Sequence, residues 1–93
     1  MKVYIAGKIT GDENYKQKFK EAEMELQALG LVVLSPAVLA AGMTPADYMR
    51  ICFAMIDTAD CVCFLPDWQQ SKGAKLERLY CEYIGKNILR ERW

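Results

Sequence analysis

A loop rich in potentially reactive side chains lies between an apolar run and an amphipathic segment in the second half of the chain. The apolar run from Cys61 to Leu65 predicts a buried strand. The segment after it, which leads into a predicted helix, contains Ser71, Gly73 and Glu77. A carboxylate on the second turn of such a helix points back at the carboxyl end of the strand, where open parallel sheets bind their ligands. Glu77 is therefore a candidate nucleophile, and a simple helix-surface glutamate is the alternative.

The composition restricts this chemistry further. The 93 residues include no histidine, which excludes histidine-based triads and histidine metal sites and leaves carboxylates, Tyr, Cys and Lys for acid–base work. Twelve basic residues balance twelve acidic ones, so charge gives no reason to expect a nucleic-acid polymer or an anionic membrane as partner. No apolar run approaches the ~20 residues of a membrane-spanning helix.

The cysteine pattern indicates a reducing compartment. None of the four cysteines forms a C-x-x-C pair, and Met1 and Lys2 run directly into a strand pattern, so we expect no signal peptide. Free thiols in a cytoplasmic protein are the expected state. Cys61 and Cys63, two residues apart on one strand, are expected to pack in the core.

Hydrophobic periodicity predicts four strands that alternate with three helices. The strands are expected at residues 3–6, 31–34, 61–65 and 87–89, and the helices at 14–29, 45–58 and 71–84. Residues 37–43 fit either a helical turn or a loop. The alternation predicts an α/β fold, a flavodoxin- or Rossmann-like three-layer sandwich that forms a single domain over residues 1–93. Its short parallel sheet should have about four strands in the order 2-1-3-4.

Apolar spacing also predicts which face of each element is buried. The first helix carries an apolar stripe from Tyr15 to Leu29, and its charged residues, Lys18 among them, are expected on a solvated face. The all-apolar second strand is expected to be buried on both faces. The third helix is expected to present five large apolar residues on its buried side: Leu76, Leu79, Tyr80, Tyr83 and Ile84.

Local sequence marks several helix ends. Thr44, Pro45 and Asp47 have the pattern of an N-cap, a first helical position and a third helical position. Gly30 and Gly85 follow the first and third helical patterns and are expected to end those helices.

The predicted strand order places a crevice between the carboxyl ends of the first and third strands, so the loops that follow them should face each other. Gly7 and Gly11 are expected to be turn glycines, with Gly7 lining the pocket. Lys8 and Thr10 could meet a 5′-phosphate at the sheet edge, or could be ordinary solvated side chains.

The second of these loops offers three more candidates. Trp68 could stack on a base or fill a subunit interface. Ser71 is expected to cap the third helix, which leaves neighbouring N–H groups free for a phosphate. Gly73 either relaxes the loop or allows a ligand to approach the backbone closely.

Three segments together resemble the nucleoside 2-deoxyribosyltransferase superfamily, in particular its group of small bacterial and phage members. They are VYIAGKITG at residues 3–11, DCVCFLPDWQQSKGAKLE at 60–77 and YIGKNI at 83–88. The ordered motif W-x-x-S-x-G-A-x-x-E adds most of the specificity, and the similarity spans nearly the whole chain. The resemblance implies chemistry at a nucleoside or nucleotide N-glycosidic bond.

The resemblance also assigns roles to three residues. In active members, a glutamate at the position of Glu77 attacks the anomeric carbon and forms a glycosyl-enzyme intermediate, which water or a second base resolves. Tyr4 stands where a first-strand tyrosine orients that nucleophile, and Ser71 stands where the family contacts the sugar or a phosphate. A small-molecule nucleoside or nucleotide partner, no metal and no organic cofactor are implied. A homo-oligomer is expected as well, because a neighbouring subunit often completes the site.

One position departs from the family's pattern. Members usually carry an aspartate on the middle helix, eight residues before the aspartate that opens the third strand, and here that position is Cys52. In active relatives the acid contacts sugar hydroxyls or protonates the leaving base, for which a thiol is a poor donor. Asp57 is not a substitute, because it lies about 140° further round the helix.

Three functions follow from these observations. The first is a 2-deoxyribosyltransferase or 5′-nucleotide N-hydrolase that uses Glu77. The second is a non-catalytic nucleotide-binding or sensor module, which is indicated by Cys52 in the place of the family's aspartate. The third is an oligomeric structural protein with a vestigial crevice, whose interface would use four aromatic residues: Trp68, Tyr80, Tyr83 and Trp93.

Overall fold

A four-stranded parallel sheet with helices on both faces forms the part of the chain that the computed structural model describes, residues 1–91. The strands are β1 Lys2–Ala6, β2 Val32–Leu34, β3 Cys61–Phe64 and β4 Asn87–Arg90, and the helices are α1 Tyr15–Ala28, α2 Pro45–Thr58 and α3 Lys72–Ile84. The strand order is β2-β1-β3-β4, with every neighbouring pair parallel. The predicted α/β three-layer sandwich and its strand order are confirmed. Trp93 lies outside the described residues.

The two faces of the sheet bury different cores, because successive strand residues point to opposite sides. Val3 and Ile5 of β1 pack with α1, in a cluster that includes Phe19 and Leu26. Tyr4 of β1 points to the other face, where α2 and α3 cover the sheet. That second cluster also holds two thiols and several apolar side chains: Ala6, Cys52, Ile56, Ala59, Val62, Phe64 and Cys81.

Helix ends follow the predicted signals. The Thr44 side chain accepts a hydrogen bond from the Asp47 N–H, and the Asp47 carboxylate accepts one from the Thr44 N–H, so α2 begins with a full capping box. Gly85 adopts a left-handed conformation at the end of α3, with φ of 72°. Residues 37–43, which fit either a helical turn or a loop, begin within a short 3-10 helix, Pro36–Val38, and continue as a loop.

Three expectations about burial are wrong. β2 is an edge strand with one exposed residue and two half-buried ones, rather than a strand buried on both faces. Leu29 at the end of α1 is 66% exposed, because α1 ends before its stripe is complete. On α3, Tyr80 is half-buried against the core as expected, but the other four large apolar residues are exposed: Leu76, Leu79, Tyr83 and Ile84. The helix packs on the sheet through a narrower face made of Ala74, Glu77 and Cys81.

Candidate active site

The central feature of the site is a hydrogen-bonded pair between the sheet and α3. The Tyr4 hydroxyl donates to Oε2 of Glu77 across 2.5 Å, and the two residues are 73 positions apart in sequence. Tyr4 is fully buried at the middle of β1, and Glu77 is only 4% exposed on the second turn of α3. The fold therefore holds a carboxyl group inside the protein with a hydroxyl donor aimed at it.

Burial controls the ionisation of this pair. Loss of hydration raises the pKa of Glu77 to about 7, although the Tyr4 hydroxyl and the Cys52 thiol, acting as donors, oppose the rise. Burial and the nearby negative charge of Glu77 hold the pKa of Tyr4 well above its usual value. Tyr4 thus remains a donor at neutral pH, and the Glu77 carboxyl group titrates near neutral pH.

Cys52 lies beside this pair, on the face of α2 that packs on the sheet. Its thiol is buried, and loss of hydration raises its pKa to about 11. It therefore stays protonated and interacts with both Tyr4 and Glu77. Asp57, on the same helix, instead accepts a hydrogen bond from the Tyr80 hydroxyl at 2.6 Å and is exposed. This location agrees with the expectation that Asp57 does not replace an acid at position 52.

The loops after β1 and β3 do face each other, and a network of charges joins them. The Lys8 N–H donates to Oδ1 of Asp67 at 3.1 Å. The Lys18 ammonium group forms an ion pair with Asp67, a second with Asp12 at 2.6 Å, and a hydrogen bond to the Lys8 carbonyl oxygen at 2.8 Å. Lys18 is therefore half-buried in a network, and the expectation that it belongs to a solvated face is wrong. We call Lys8, Asp12, Lys18 and Asp67 the loop clamp.

Glycine at position 7 is required by close packing between the two loops. A Cβ at Gly7 would lie 2.8 Å from Cδ1 of Leu65, a distance that side chains do not tolerate without rearrangement. Gly11 has a φ of 82°, as a turn glycine does, and Thr10 beside it is exposed. The hydrogen bonds of Lys8 belong to the loop clamp rather than to the Tyr4–Glu77 pair.

The remaining candidates lie around the start of α3. The Ser71 hydroxyl accepts a hydrogen bond from the Ala74 N–H at 3.1 Å, so its capping role is confirmed. A Cβ at Gly73 would lie 3.2 Å from the terminal methyl of Met49, which places this glycine against α2. Trp68 packs on Phe64, with ring centroids 5.4 Å apart, and its indole N–H donates to the Glu91 carbonyl oxygen at 3.4 Å. Trp68 is thus directed toward the end of β4.

Neither Tyr4 nor Glu77 lines either of two surface cavities formed within residues 1–91. A groove of about 480 Å³ runs beside α3 between Trp68 and Leu79, and one of about 330 Å³ lies between α1 and the 3-10 helix.

Within residues 1–91, no group of three or more carboxylates and thiols is arranged to hold a metal ion. The four cysteines are buried free thiols. No helix in the same range is both long and apolar enough to cross a membrane.

Comparison with known proteins gives a family and a fold. The model of a family described as "Domain of unknown function (DUF4406)" matches residues 1–90, so the chain belongs to that family. No curated protein sequence matches the chain. Among solved structures, a 2-desoxiribosyltransferase from Leishmania mexicana is similar, with a TM-score of 0.75 and 18% identity. The superposition covers 98% of this chain and 63% of that one, so this chain spans less than two thirds of the neighbour's length. At this identity the similarity shows the shared fold.

Proposed function

We propose that the protein acts on the N-glycosidic bond of a nucleoside or 5′-nucleotide, as a 2-deoxyribosyltransferase or an N-hydrolase. The observation that carries the proposal is the buried carboxyl group of Glu77 with the Tyr4 hydroxyl 2.5 Å from its Oε2. The fold shared with a 2-desoxiribosyltransferase supports it. So does the ordered motif that runs from Trp68 to Glu77.

The chemistry requires a nucleophile that is ionised yet poorly hydrated. The Glu77 carboxylate attacks the anomeric carbon, a C–O ester bond forms, and the C–N bond breaks with its electron pair leaving on the base nitrogen. A proton must reach that nitrogen from an acid or from water. Water or the nitrogen of a second base then displaces the ester, which gives hydrolysis or transfer and frees the carboxylate. Tyr4 orients the carboxyl group and stabilises its charge throughout.

Binding of the rest of the substrate falls to the loops at the carboxyl edge of the sheet. In the proposal, Ser71 and the backbone near Gly73 contact the sugar or a phosphate, Gly7 and Gly11 shape the pocket, and Lys8 and Thr10 lie at its rim. Trp68 is the candidate for stacking on a base. No metal or organic cofactor takes part in these steps.

A second candidate function is a non-catalytic nucleotide-binding or sensor module. Two observations favour it: the thiol of Cys52 is a poor acid, with its pKa raised to about 11, and Glu77 is almost fully shielded from solvent. Such a module would bind a nucleotide and stabilise the fold without breaking a bond.

The experiment that tests the proposal combines binding with product analysis. The purified protein is heated with each member of a panel of ribo- and deoxynucleosides and their 5′-phosphates, and parallel samples are analysed by chromatography for free or exchanged base. A higher melting temperature together with released base is the expected result. A shift without base release would support the binding module, and no shift with any member of the panel would contradict both functions.

A further inference from the structure

The outward face of α3 is apolar where a solvated helix should be polar. Leu76 is 52% exposed, Leu79 62% and Tyr83 92%, and Ile84 is exposed as well. These four residues form one line along the helix, and we call them the α3 stripe. Tyr80 beside them is already engaged, since its ring stacks on Phe53 of α2 at 4.3 Å.

Within residues 1–91, α3 packs on the sheet without using the stripe. Ala74, Glu77 and Cys81 fill that packing face and lie on the opposite side of the helix. A contiguous exposed apolar surface of this kind often marks an interaction site, whereas apolar residues exposed singly are common and need no explanation. Removing large apolar side chains from water is favourable, which is why such residues rarely line up on a free helix face.

Charges beside the stripe are arranged so that α3 complements itself. Lys75 and Glu82 flank the stripe on one side, seven residues apart, with Leu79 close to the midpoint between them. Glu82 forms an ion pair with Arg78 of its own helix at 3.6 Å, but its side chain is 72% exposed and can also meet a charge on a second copy. When two copies of the helix pack antiparallel about a two-fold axis near Leu79, Lys75 of each copy faces Glu82 of the other. The antiparallel arrangement also opposes the two helix dipoles favourably. A formal net charge of zero adds no general repulsion between copies.

We infer that the α3 stripe is a homodimer interface, in which α3 packs antiparallel against α3 of a second copy across a two-fold axis near Leu79. This inference is independent of the proposed function. Because Glu77 projects from the opposite side of the same helix, the dimer holds rigid the element that carries the carboxyl group. A contact between two helices of this length is at the low end of interface sizes, so we expect association in the micromolar range.

The test is the mass of the protein in solution, measured by sedimentation or light scattering over a range of concentrations. The wild type should reach twice the 10.6 kDa chain mass. Leu79→Lys should remain monomeric, because it places two ammonium groups against each other at the axis. Leu29→Lys is the matched control, since Leu29 is 66% exposed just after the end of α1, and it should dimerise like the wild type. A monomeric wild type, or a dimer that Leu79→Lys leaves intact, would overturn the inference.

Charge reversal tests the antiparallel orientation separately. Lys75→Glu alone and Glu82→Lys alone should each weaken the dimer roughly tenfold, because every facing pair becomes a like-charge pair. An equimolar mixture of the two variants should form a heterodimer, in which each facing pair is again of opposite charge. Circular dichroism establishes that each variant is folded. If the mixture dimerises no more tightly than either variant alone, that result would contradict the antiparallel arrangement.

Discussion

The proposed chemistry depends on one buried carboxyl group, that of Glu77. The dehydration that raises the pKa of Glu77 to about 7 also makes the ionised carboxylate a stronger nucleophile, and the Tyr4 hydroxyl limits the cost of that ionisation. The neighbouring Cys52 thiol keeps its proton and contributes no charge. These three side chains come from β1, α2 and α3, so all three elements must pack correctly before the site exists.

The ionisation of Glu77 should appear in the pH dependence of stability. Its pKa is about 7 in the folded protein against an ordinary value of 4.5, so the folded state retains a proton that the unfolded state releases. The free energy of unfolding should therefore fall as pH rises from about 4.5 to 7, by an amount on the order of 3 kcal/mol at most. Urea unfolding at a series of pH values measures it. Glu77→Gln should lose this dependence, and an identical slope in that variant would contradict the assignment.

Removal of the Tyr4 hydroxyl should shift the pH profile of the proposed activity. In Tyr4→Phe, Glu77 loses the donor that favours its charged form, so the pKa of Glu77 rises and kcat/KM should reach its plateau at a higher pH than in the wild type. Tyr48→Phe is the control, since the Tyr48 hydroxyl donates to the Ala40 carbonyl oxygen at 2.7 Å in an exposed region. If the pH profile of Tyr4→Phe coincides with that of the wild type, the Tyr4 hydroxyl does not control the ionisation of Glu77.

Replacement of the Cys52 thiol by an acid tests whether this position limits base release. Cys52→Asp places a carboxyl group beside Glu77, and repulsion between the two raises the pKa of at least one of them, which then holds a proton for the leaving base. The rate of base release should rise about tenfold or more above that of Cys52→Asn, which has similar size and no acidic proton. Chromatography of the released base gives both rates. Equal rates in the two variants would show that position 52 supplies no proton.

At the scale of secondary-structure elements, the loop clamp joins the loops that follow β1 and β3. Lys18 projects from α1 and reaches both loops, through the Lys8 carbonyl oxygen and through the carboxylates of Asp12 and Asp67. Partial burial alone would lower the pKa of Lys18, but the carboxylates of Asp12 and Asp67, which accept hydrogen bonds from it, raise that pKa overall. The ammonium group therefore stays charged at neutral pH.

Loss of the Lys18 charge should loosen both loops together. In Lys18→Met, Asp12 and Asp67 face each other without a cation, so the melting temperature should fall by a few degrees and hydrogen exchange should quicken in the loops that contain them. Lys20→Met on the same helix is the control, because the Lys20–Glu23 pair is exposed and contributes little. Hydrogen exchange that is unchanged in Lys18→Met would mean that backbone packing alone holds the loops.

At the scale of the whole molecule, 93 residues make a thin core, and several large apolar side chains remain outside it. The α3 stripe is the clearest example, and the second copy inferred above would cover it. Association of this kind contributes to stability by mass action, so the dimer and the fold should be thermodynamically linked.

This linkage predicts a melting temperature that depends on protein concentration. The wild type should melt at higher temperature as concentration is raised, because dissociation accompanies unfolding. Leu79→Lys should melt at one temperature throughout, whereas Leu29→Lys should follow the wild type. Differential scanning fluorimetry over a wide range of concentrations is sufficient. A wild-type melting temperature that does not move would contradict the linkage.

Periodicity and end signals predicted the order, type and approximate bounds of the elements, because those depend on local sequence. The side of α3 that faces the sheet was not predictable in the same way. Hydropathy assigned Leu76, Leu79 and Tyr83 to the core, whereas the helix packs on the sheet through small side chains and Glu77. The hydropathy of a single chain cannot distinguish a core stripe from an interface stripe.

The loop clamp was missed for a different reason. Lys18 and Asp67 are 49 residues apart, and nothing in the spacing of either one indicates a partner. Their pairing depends on how α1 lies across the carboxyl edge of the sheet, which is a property of the assembled fold. By contrast, the Tyr4–Glu77 contact was anticipated through the family resemblance, which carries information about tertiary contacts that one sequence lacks.

The most direct measurement of the central claim is the rate of base release by the wild type and by Glu77→Gln on the same nucleoside. Gln retains the size of the side chain and can still accept from Tyr4, but it cannot form the ester to the anomeric carbon. The account predicts a loss of at least about a thousandfold in Glu77→Gln, with Glu21→Gln, an exposed residue of α1, equal to the wild type. Base release at the wild-type rate in a folded Glu77→Gln protein would contradict it.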